Sequence, residues 1–88
     1  MEAKTWRISV FVTEDDARTR AEAVLTTTAG TELRSVGMAR RNPADRDVPE
    51  IGDELAVCRA LNGLAHDLLE AAVMDVEQNV GAEASIDL

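Results

Sequence analysis

Aromatic residues and cysteines are nearly absent from this sequence of 88 residues. Trp6 and Phe11 are its only aromatic side chains, so the core must be built from Ala, Val, Leu, Ile and Met, most of which bury less area each. A chain of this length forms one small domain, and a small domain built this way has a thin core. The shortage of large apolar side chains favours association with other chains as a further source of stability.

The single cysteine, Cys58, excludes an internal disulfide, and we expect its side chain to be buried as a small apolar group. No apolar run is long enough to span a bilayer. The residues after Met1 alternate between polar and apolar, so we do not expect them to form a signal peptide. We therefore expect a cytoplasmic protein with no membrane partner.

Basic residues are almost missing from the second half of the chain. Residues 1–46 hold eight basic and seven acidic residues, a balance of +1. Residues 47–88 hold Arg59 against ten acidic residues, a balance of −9, which completes the net charge of −8. Because an acidic chain repels phosphates, we do not expect nucleic acid as the partner.

Three segments in the first half have the residue patterns of β-strands. Residues 5–13 alternate between apolar and polar side chains and are rich in β-branched residues. Residues 17–27 alternate as well; the start of this segment is also compatible with a helix, but the β-branched residues that follow favour a strand. Residues 32–41 form the third strand. Short polar turns join the three segments, so the pattern predicts an antiparallel meander.

The buried face of the third strand is left open by its pattern. One side carries Leu33, Ser35, Gly37 and Ala39, and the other carries Arg34, Val36, Met38 and Arg40. A glycine inside a strand often marks the close approach of another element, so we interpret Gly37 as room for a helix axis near the sheet.

The second half of the chain predicts one long helix over residues 50–79. Asp47 and Glu50 have the spacing of a capping box, with Pro49 in the first turn. Gly81 follows the last turn as a stop signal. Acidic Asp53 and Glu54 near the start are expected to complement the helix dipole.

Apolar residues cover about half of the circumference of this helix, which is wider than a simple surface helix requires. At 100° per residue, the main stripe consists of Ile51, Leu55, Cys58, Ala65, Leu69, Ala72, Val73 and Val76. The flank that extends it consists of Val57, Leu61, Leu64 and Leu68. Arg59, His66, Glu70 and Glu77 lie on the opposite, solvent side. A strip of small residues lies beside them: Ala56, Ala60, Gly63 and Ala71.

The helix is too long for the sheet that it covers. About 30 helical residues span about 45 Å, whereas a strand of about eight residues spans about 26 Å. The half after Asn62 and Gly63 must either fold back or be covered by a second chain. We favour the second chain, because one interior glycine costs a helix only about 1 kcal/mol and need not break it. The predicted oligomer interface consists of Leu64, Leu68, Leu69, Ala72, Val73 and Val76.

No catalytic residues, metal ligands, cofactor or small-molecule site are predicted. His66 has Asp67 and Glu70 nearby but no second histidine or cysteine close in sequence, so we expect a solvated side chain. A sheet face bearing several arginines could bind phosphate groups, or it could be a solvated face paired with Glu22 and Glu32. The candidate anion-binding face consists of Arg7, Arg18, Arg20 and Arg34.

Three segments, residues 36–45, 51–56 and 59–61, together with residues 19–21, resemble a family of small actinobacterial proteins of unassigned activity that have a double-stranded-RNA-binding-domain-like fold. The resemblance covers residues 5–78 and implies an α+β fold: a three-stranded antiparallel sheet with a C-terminal helix across one face. RNA-binding members of that fold also have an N-terminal helix, whereas the first element predicted here, over residues 5–13, is a strand. They begin the last helix with lysines, where this chain has Asp53 and Glu54.

These observations predict one α+β domain over residues 1–81, followed by a short flexible tail over residues 82–88. The predicted function is a non-catalytic module that self-associates through its C-terminal helix. The alternative is nucleic-acid binding through the arginine-bearing face of the sheet.

Overall fold

Residues 1–40 and 49–80 are described by the computed structural model. The chain forms three strands and then one helix: β1 (Arg7–Glu14), β2 (Arg18–Thr26), β3 (Glu32–Arg40) and α1 (Pro49–Val80). The predicted α+β fold is confirmed, and each boundary lies within two residues of the predicted one. The predicted cap at Asp47, the stop at Gly81 and the tail over residues 82–88 lie outside the described residues.

The strands form an antiparallel meander in the order β1-β2-β3. In the first turn, Asp15 Oδ1 accepts the backbone N–H groups of Ala17 at 2.8 Å and Arg18 at 2.9 Å. In the second turn, Gly30 adopts a φ of +84°, which favours glycine, and its N–H donates to the carbonyl of Thr27 at 3.1 Å. These turns hold the strand register that places residues on each face of the sheet.

Helix α1 crosses one face of the sheet and covers mainly β2 and β3. The buried core between them is built largely from small residues, with Leu25 and Leu64 as its largest fully buried side chains. The core cluster consists of Ala21, Ala23, Leu25, Ala39, Ala56, Ala60 and Leu64. Strand β1 contributes only Val10 to this packing, so Ile8 and Val12 on the same face remain 51% and 41% exposed.

The helix packs on the side of β3 that carries Leu33, Ser35, Gly37 and Ala39. Gly37 pairs with Ala21 at the centre of the sheet. The predicted close approach at Gly37 is confirmed, because a Cβ added there would collide with the backbone of Ala56 and Ala60. Helix α1 continues through Asn62 and Gly63 without a break. Within residues 1–40 and 49–80, we find no helix with the length and apolar content needed to cross a membrane.

Candidate association surface

Small residues on α1 set the position of the helix on the sheet. Besides the contact at Gly37, a Cβ on Gly52 would lie 2.8 Å from the Thr19 hydroxyl oxygen, and one on Gly63 would collide with the Ser35 hydroxyl. Ala56 and Ala60 between these glycines are fully buried. The helix backbone therefore meets strand backbone at Gly37 and the side chains of Thr19 and Ser35 at the two helix glycines. These contacts determine which side of α1 faces the sheet.

The predicted rotation of α1 about its axis is wrong. The predicted apolar arc leaves out the small-residue strip, whereas the structure buries Ala56 and Ala60 and half-buries Gly63 against the sheet. The reason is steric: larger side chains at these positions would hold the helix axis away from the sheet at Gly37. The wide apolar stripe assigned to the core lies on the opposite side of the helix.

We call the eight residues of this apolar stripe the outward stripe: Ile51, Leu55, Cys58, Ala65, Leu69, Ala72, Val73 and Val76. Ile51 is 56% exposed and Leu55 is 45% exposed. Cys58 is also exposed, so the expectation of a buried thiol is wrong. Along its length the stripe contains exposed and half-buried residues but none that is fully buried. Large apolar side chains in this arrangement are typical of an association surface.

The far end of α1 extends past the sheet, as its length predicts. Leu68 is the last helix residue that packs against the core cluster. The 12 residues that follow it, 69–80, add about 18 Å of helix at about 1.5 Å per residue. The molecule is correspondingly elongated, with a longest dimension of 53 Å.

Two residues of the predicted interface belong to the core of the single chain instead. Leu64 is 2% exposed within the core cluster, so its assignment to an oligomer interface is wrong. Leu68 packs partly against the same cluster and is half-buried. Both lie near the sheet-facing side of α1 because the helix is rotated relative to the prediction. The other predicted interface residues follow Leu68 in the helix and are outside the core cluster. Ala72 is exposed, and the larger ones are half-buried: Leu69, Val73 and Val76.

The sheet face away from α1 carries the predicted arginines. The strand register places Arg7, Arg18, Arg20, Arg34 and Arg40 on this face. Three of the five are paired with acidic side chains. The pairs are Arg18 with Asp15 at 3.7 Å, Arg20 with Glu22 at 3.6 Å, and Arg34 with both Glu22 at 3.2 Å and Glu32 at 3.1 Å. The interpretation of a solvated, ion-paired face therefore describes much of this surface.

Apolar side chains also lie on the arginine-bearing face. Phe11 and Val36 flank Glu22 in the strand register, and both are exposed. Met38 lies beside Arg20 and is exposed as well. Glu22 thus occupies the centre of the face, where it partly neutralises Arg20 and Arg34.

The other candidate reactive groups are separate from one another. His66 is exposed, as predicted, and its Nε2 lies 3.1 Å from Glu70 Oε1 one helical turn away. Arg59 donates from a guanidinium nitrogen to the Met38 carbonyl at 2.6 Å and so ties α1 to β3. Asn62 donates to the Cys58 sulfur at 3.7 Å. In the described part of the chain, no group of three or more His, Cys, Asp or Glu side chains is arranged to hold a metal ion.

The acidic residues at the start of α1 lie deeper in the helix than predicted. The helix begins at Pro49, so Glu50 is the acidic residue of the first turn, and Asp53 and Glu54 follow in the second. Asp53 Oδ1 is buried without a hydrogen-bond partner among the described residues. Interaction with the helix dipole is therefore supplied mainly by Glu50.

The pKa of the Asp15 carboxyl is lowered, first by the hydrogen bond from the Ala17 N–H and then by the one from the Arg18 N–H. This group stabilises the turn between β1 and β2. It lies at the end of the sheet, away from the outward stripe, and belongs to folding rather than to association.

The signal for the true rotation of α1 was present in the sequence. Gly37 indicated a close approach of the helix, and a close approach requires small residues on both elements. The spacing of Gly52, Ala56, Ala60 and Gly63 supplies them on one side of the helix. Choosing the buried face of a helix by the size of its apolar side chains misses this match between Gly37 and the small residues of α1.

Comparison with known proteins gives consistent results. A family model described as Rv2632c-like matches residues 4–85. The uncharacterized protein Rv2632c of Mycobacterium tuberculosis H37Rv is 49% identical over 74 residues, which cover 84% of this chain and 78% of that protein. The uncharacterized protein Mb1767 of Mycobacterium bovis is 47% identical over 72 residues, which cover 82% of this chain and 76% of that protein.

A solved structure has the same fold. The crystal structure of Rv2632c superimposes with a TM-score of 0.83 at 44% identity and covers 93% of this chain and 96% of that one. The resemblance to small actinobacterial proteins is confirmed by these relatives.

Proposed function

This chain belongs to the Rv2632c-like family, and we propose that it is a non-catalytic module that self-associates through the outward stripe of α1. The observation that carries the proposal is the rotation of α1, which buries small residues and leaves large apolar ones uncovered. We place this assembly in the cytoplasm, where a lone thiol such as Cys58 stays reduced.

Burial of the outward stripe against a second chain makes a favourable contribution to the free energy of association. Full burial of a Leu or Ile side chain contributes about 1.5–3 kcal/mol, so covering the half-exposed Ile51 and Leu55 contributes on the order of 1 kcal/mol each. The overhanging residues 69–80 add further apolar side chains to the same side of the helix. Because the single chain has a small core, this area is a sizeable addition to what folding alone buries.

A pair of matched variants tests the proposal. Leu69→Glu places a charge on the outward stripe, beyond the core cluster. Met74→Glu places the same charge on the same overhang, but Met74 is 58% exposed and lies in line with Ala56, on the sheet-facing side of the helix. At a concentration where the native chain is monomeric, both variants should keep its helix content and its free energy of unfolding.

Sedimentation equilibrium at micromolar concentrations provides the measurement. We expect the native chain and Met74→Glu to associate to the same extent and Leu69→Glu to be monomeric. Equal association of all three proteins would show that the outward stripe is not the interface. A native chain that stays monomeric would end the proposal.

Nucleic-acid binding through the arginine-bearing face is the second candidate function. The observation that favours it is a face with five arginines against Glu22 and Glu32, next to an exposed Phe11 that could stack on a base. Such binding would weaken steeply with salt, because displaced counterions drive it. Arg18→Glu combined with Arg20→Glu should abolish it. No binding of duplex RNA or DNA by the native chain at low salt would exclude this function.

A further inference from the structure

The exposed side of α1 contains a regular repeat. Asn62, which is exposed, lies on the same side of the helix as the outward stripe. Together with every stripe residue except Val73, it gives positions that are alternately four and three apart in the sequence: Ile51, Leu55, Cys58, Asn62, Ala65, Leu69, Ala72 and Val76. This average spacing of about 3.5 residues is the repeat by which two helices pack side by side in a coiled coil. We call these eight residues the seam. None of them belongs to the core cluster of the single chain, so the whole seam can meet another helix.

We infer that the seam pairs with the seam of a second copy running antiparallel, so that Asn62 of each copy faces Ala65 of the other. This inference rests on the proposed self-association and specifies its partner and geometry. The sheets of the two copies lie on the outer sides of the helix pair and at opposite ends of it. The overhanging half of each α1 then covers the exposed seam beside the sheet of the other copy.

Side-chain sizes favour the antiparallel arrangement. With Asn62 opposite Ala65, the next layers place Cys58 opposite Leu69 and Leu55 opposite Ala72. The last layer pairs Ile51 with Val76. A larger side chain thus meets a smaller one in most layers, which keeps the helix axes at one distance of about 8–10 Å. A parallel pair would face Leu55 with Leu55 and Ala65 with Ala65, so wide and narrow layers would alternate.

Asn62 sets the register of the pair. Around the two-fold axis, the two Asn62 residues lie about 4.5 Å apart along the helices, since three residues at about 1.5 Å each separate their levels. Their amide groups can therefore hydrogen-bond to each other inside an otherwise apolar seam. A polar Asn at such a position opposes sliding by a heptad, because a shifted register would bury the amide without a partner.

Charged residues at the edges of the seam modulate the strength of pairing. Arg59 is already bonded to the Met38 carbonyl of its own chain, so it adds no attraction between the copies. The antiparallel register brings Glu54 near Asp75 of the other copy at each end, which is repulsive. The seam is about 40 Å long and about 10 Å wide, so its flat footprint covers roughly 800 Å² over both copies. That area is below the roughly 1,200 Å² at which stable specific interfaces begin, so we expect a weak, transient dimer of micromolar affinity.

Disulfide trapping tests the arrangement with the full chain. Leu69→Cys adds a thiol that faces Cys58 of the second copy in the antiparallel pair. Within one chain the two thiols lie about 16 Å apart along the helix, too far for a disulfide. Met74→Cys is the matched control, because its thiol lies on the other side of the helix. Trypsin cuts after Arg59, so Cys58 and the thiol introduced at position 69 fall on separate peptides, and mass spectrometry identifies each linkage.

Under mild oxidation at a concentration where sedimentation shows a dimer, we expect Leu69→Cys to give links between Cys58 of one chain and position 69 of the other. The native chain and Met74→Cys should give at least about tenfold less cross-linked dimer. Links that join Cys58 to Cys58, or position 69 to position 69, would show parallel pairing and overturn the inference while the proposed function survives. A dimer with no links in Leu69→Cys, and none in the second pair of thiols described next, would show that the seam is not the contact.

A second pair of thiols tests the same register independently, in case the geometry at position 69 prevents a disulfide. In a Cys58→Ser background, Leu55→Cys with Ala72→Cys should give links between positions 55 and 72 of different chains. Absence of both the 58–69 and the 55–72 links in a confirmed dimer overturns the inference. A chain that is monomeric by sedimentation overturns the inference and the proposed function together.

Discussion

The inner and outward sides of α1 differ in a way that reverses the usual expectation for an amphipathic helix. The inner side meets the sheet through Gly52, Ala56, Ala60 and Gly63, and its contacts involve backbone. The outward side carries the larger Ile51 and Leu55, which stay about half exposed. The comparison teaches that the distance of closest approach, rather than side-chain size, decides which side of this helix is buried.

A domain with so small a core leaves apolar area for other uses. Leu64 is the one large helix side chain that the single chain buries fully among its described residues. Close contact of backbone and alanines provides dense packing and many dispersion contacts, but little apolar area per residue. The remaining apolar area of α1 is therefore available for a second chain.

The largest expected effect is a loss of unfolding free energy when the contact between α1 and the sheet is disrupted at Gly37, where the two approach most closely. Gly37→Ala adds a methyl group that collides with the backbone of Ala56 and Ala60, and only displacement of α1 can relieve the clash. We expect the free energy of unfolding to fall by at least about 3 kcal/mol in urea titrations. Gly30→Ala is the control: its added methyl meets nothing within 4 Å, so its cost is limited to about 1–2 kcal/mol for the positive φ. Equal losses for the two variants would contradict the close approach.

A pair of leucine truncations sharpens the difference between the two sides. Leu64→Ala empties space in the core cluster and should lower the free energy of unfolding by about 2–4 kcal/mol. Leu55→Ala, measured at a concentration where the chain is monomeric, should change it by less than about 1 kcal/mol because the side chain is already half exposed. The same Leu55→Ala should weaken association. A larger fall in unfolding free energy for Leu55→Ala than for Leu64→Ala would mean that α1 packs on the sheet with a different side.

Salt distinguishes contact between copies from contact with nucleic acid. Two chains with a net charge of −8 repel each other, and added salt screens that repulsion. We expect the apparent dissociation constant of the dimer to fall severalfold between low and physiological ionic strength, measured by sedimentation. Association that weakens as salt increases would indicate that attraction between opposite charges, rather than the apolar seam, holds the copies together.

The smallest effect concerns a group that belongs to neither side of α1. Folding lowers the pKa of Asp15, so its contribution is present above the ordinary carboxyl pKa of 3.8 and is lost as the pH falls through the folded-state value. Asp15→Ala should reduce the free energy of unfolding slightly at neutral pH, and the difference from the native chain should shrink toward zero at low pH. Association should be unaffected. A difference that grows on acidification would contradict the role of Asp15 in the turn.

The fold was largely predictable from the sequence. Alternation and β-branched residues identify β1, β2 and β3, and their short turns fix the antiparallel order. Gly37 indicates the helix approach because a glycine within a strand leaves space that a neighbouring element can fill. These features depend on local sequence, and tertiary contacts support them.

The rotation of α1 was not predictable by the same reasoning. Hydrophobic periodicity measures which side of a helix is more apolar, and here both sides are apolar, one through alanines and one through larger residues. The assignments of Cys58 to the core and of Leu64 to the interface failed for this one reason. The arginine-bearing face was placed correctly, but the partial neutralisation of Arg20 and Arg34 by Glu22 depends on cross-strand geometry.

The reactivity of the native thiol tests the central claim most directly. Cys58 is the only cysteine, lies in the outward stripe and is exposed in the single chain. If this side of α1 is covered by a second copy, the rate of Cys58 alkylation must fall as protein concentration rises through the dissociation constant, in proportion to the dimer fraction. An alkylation rate that is the same at every concentration, in a chain that sedimentation shows to be associated, would contradict the account.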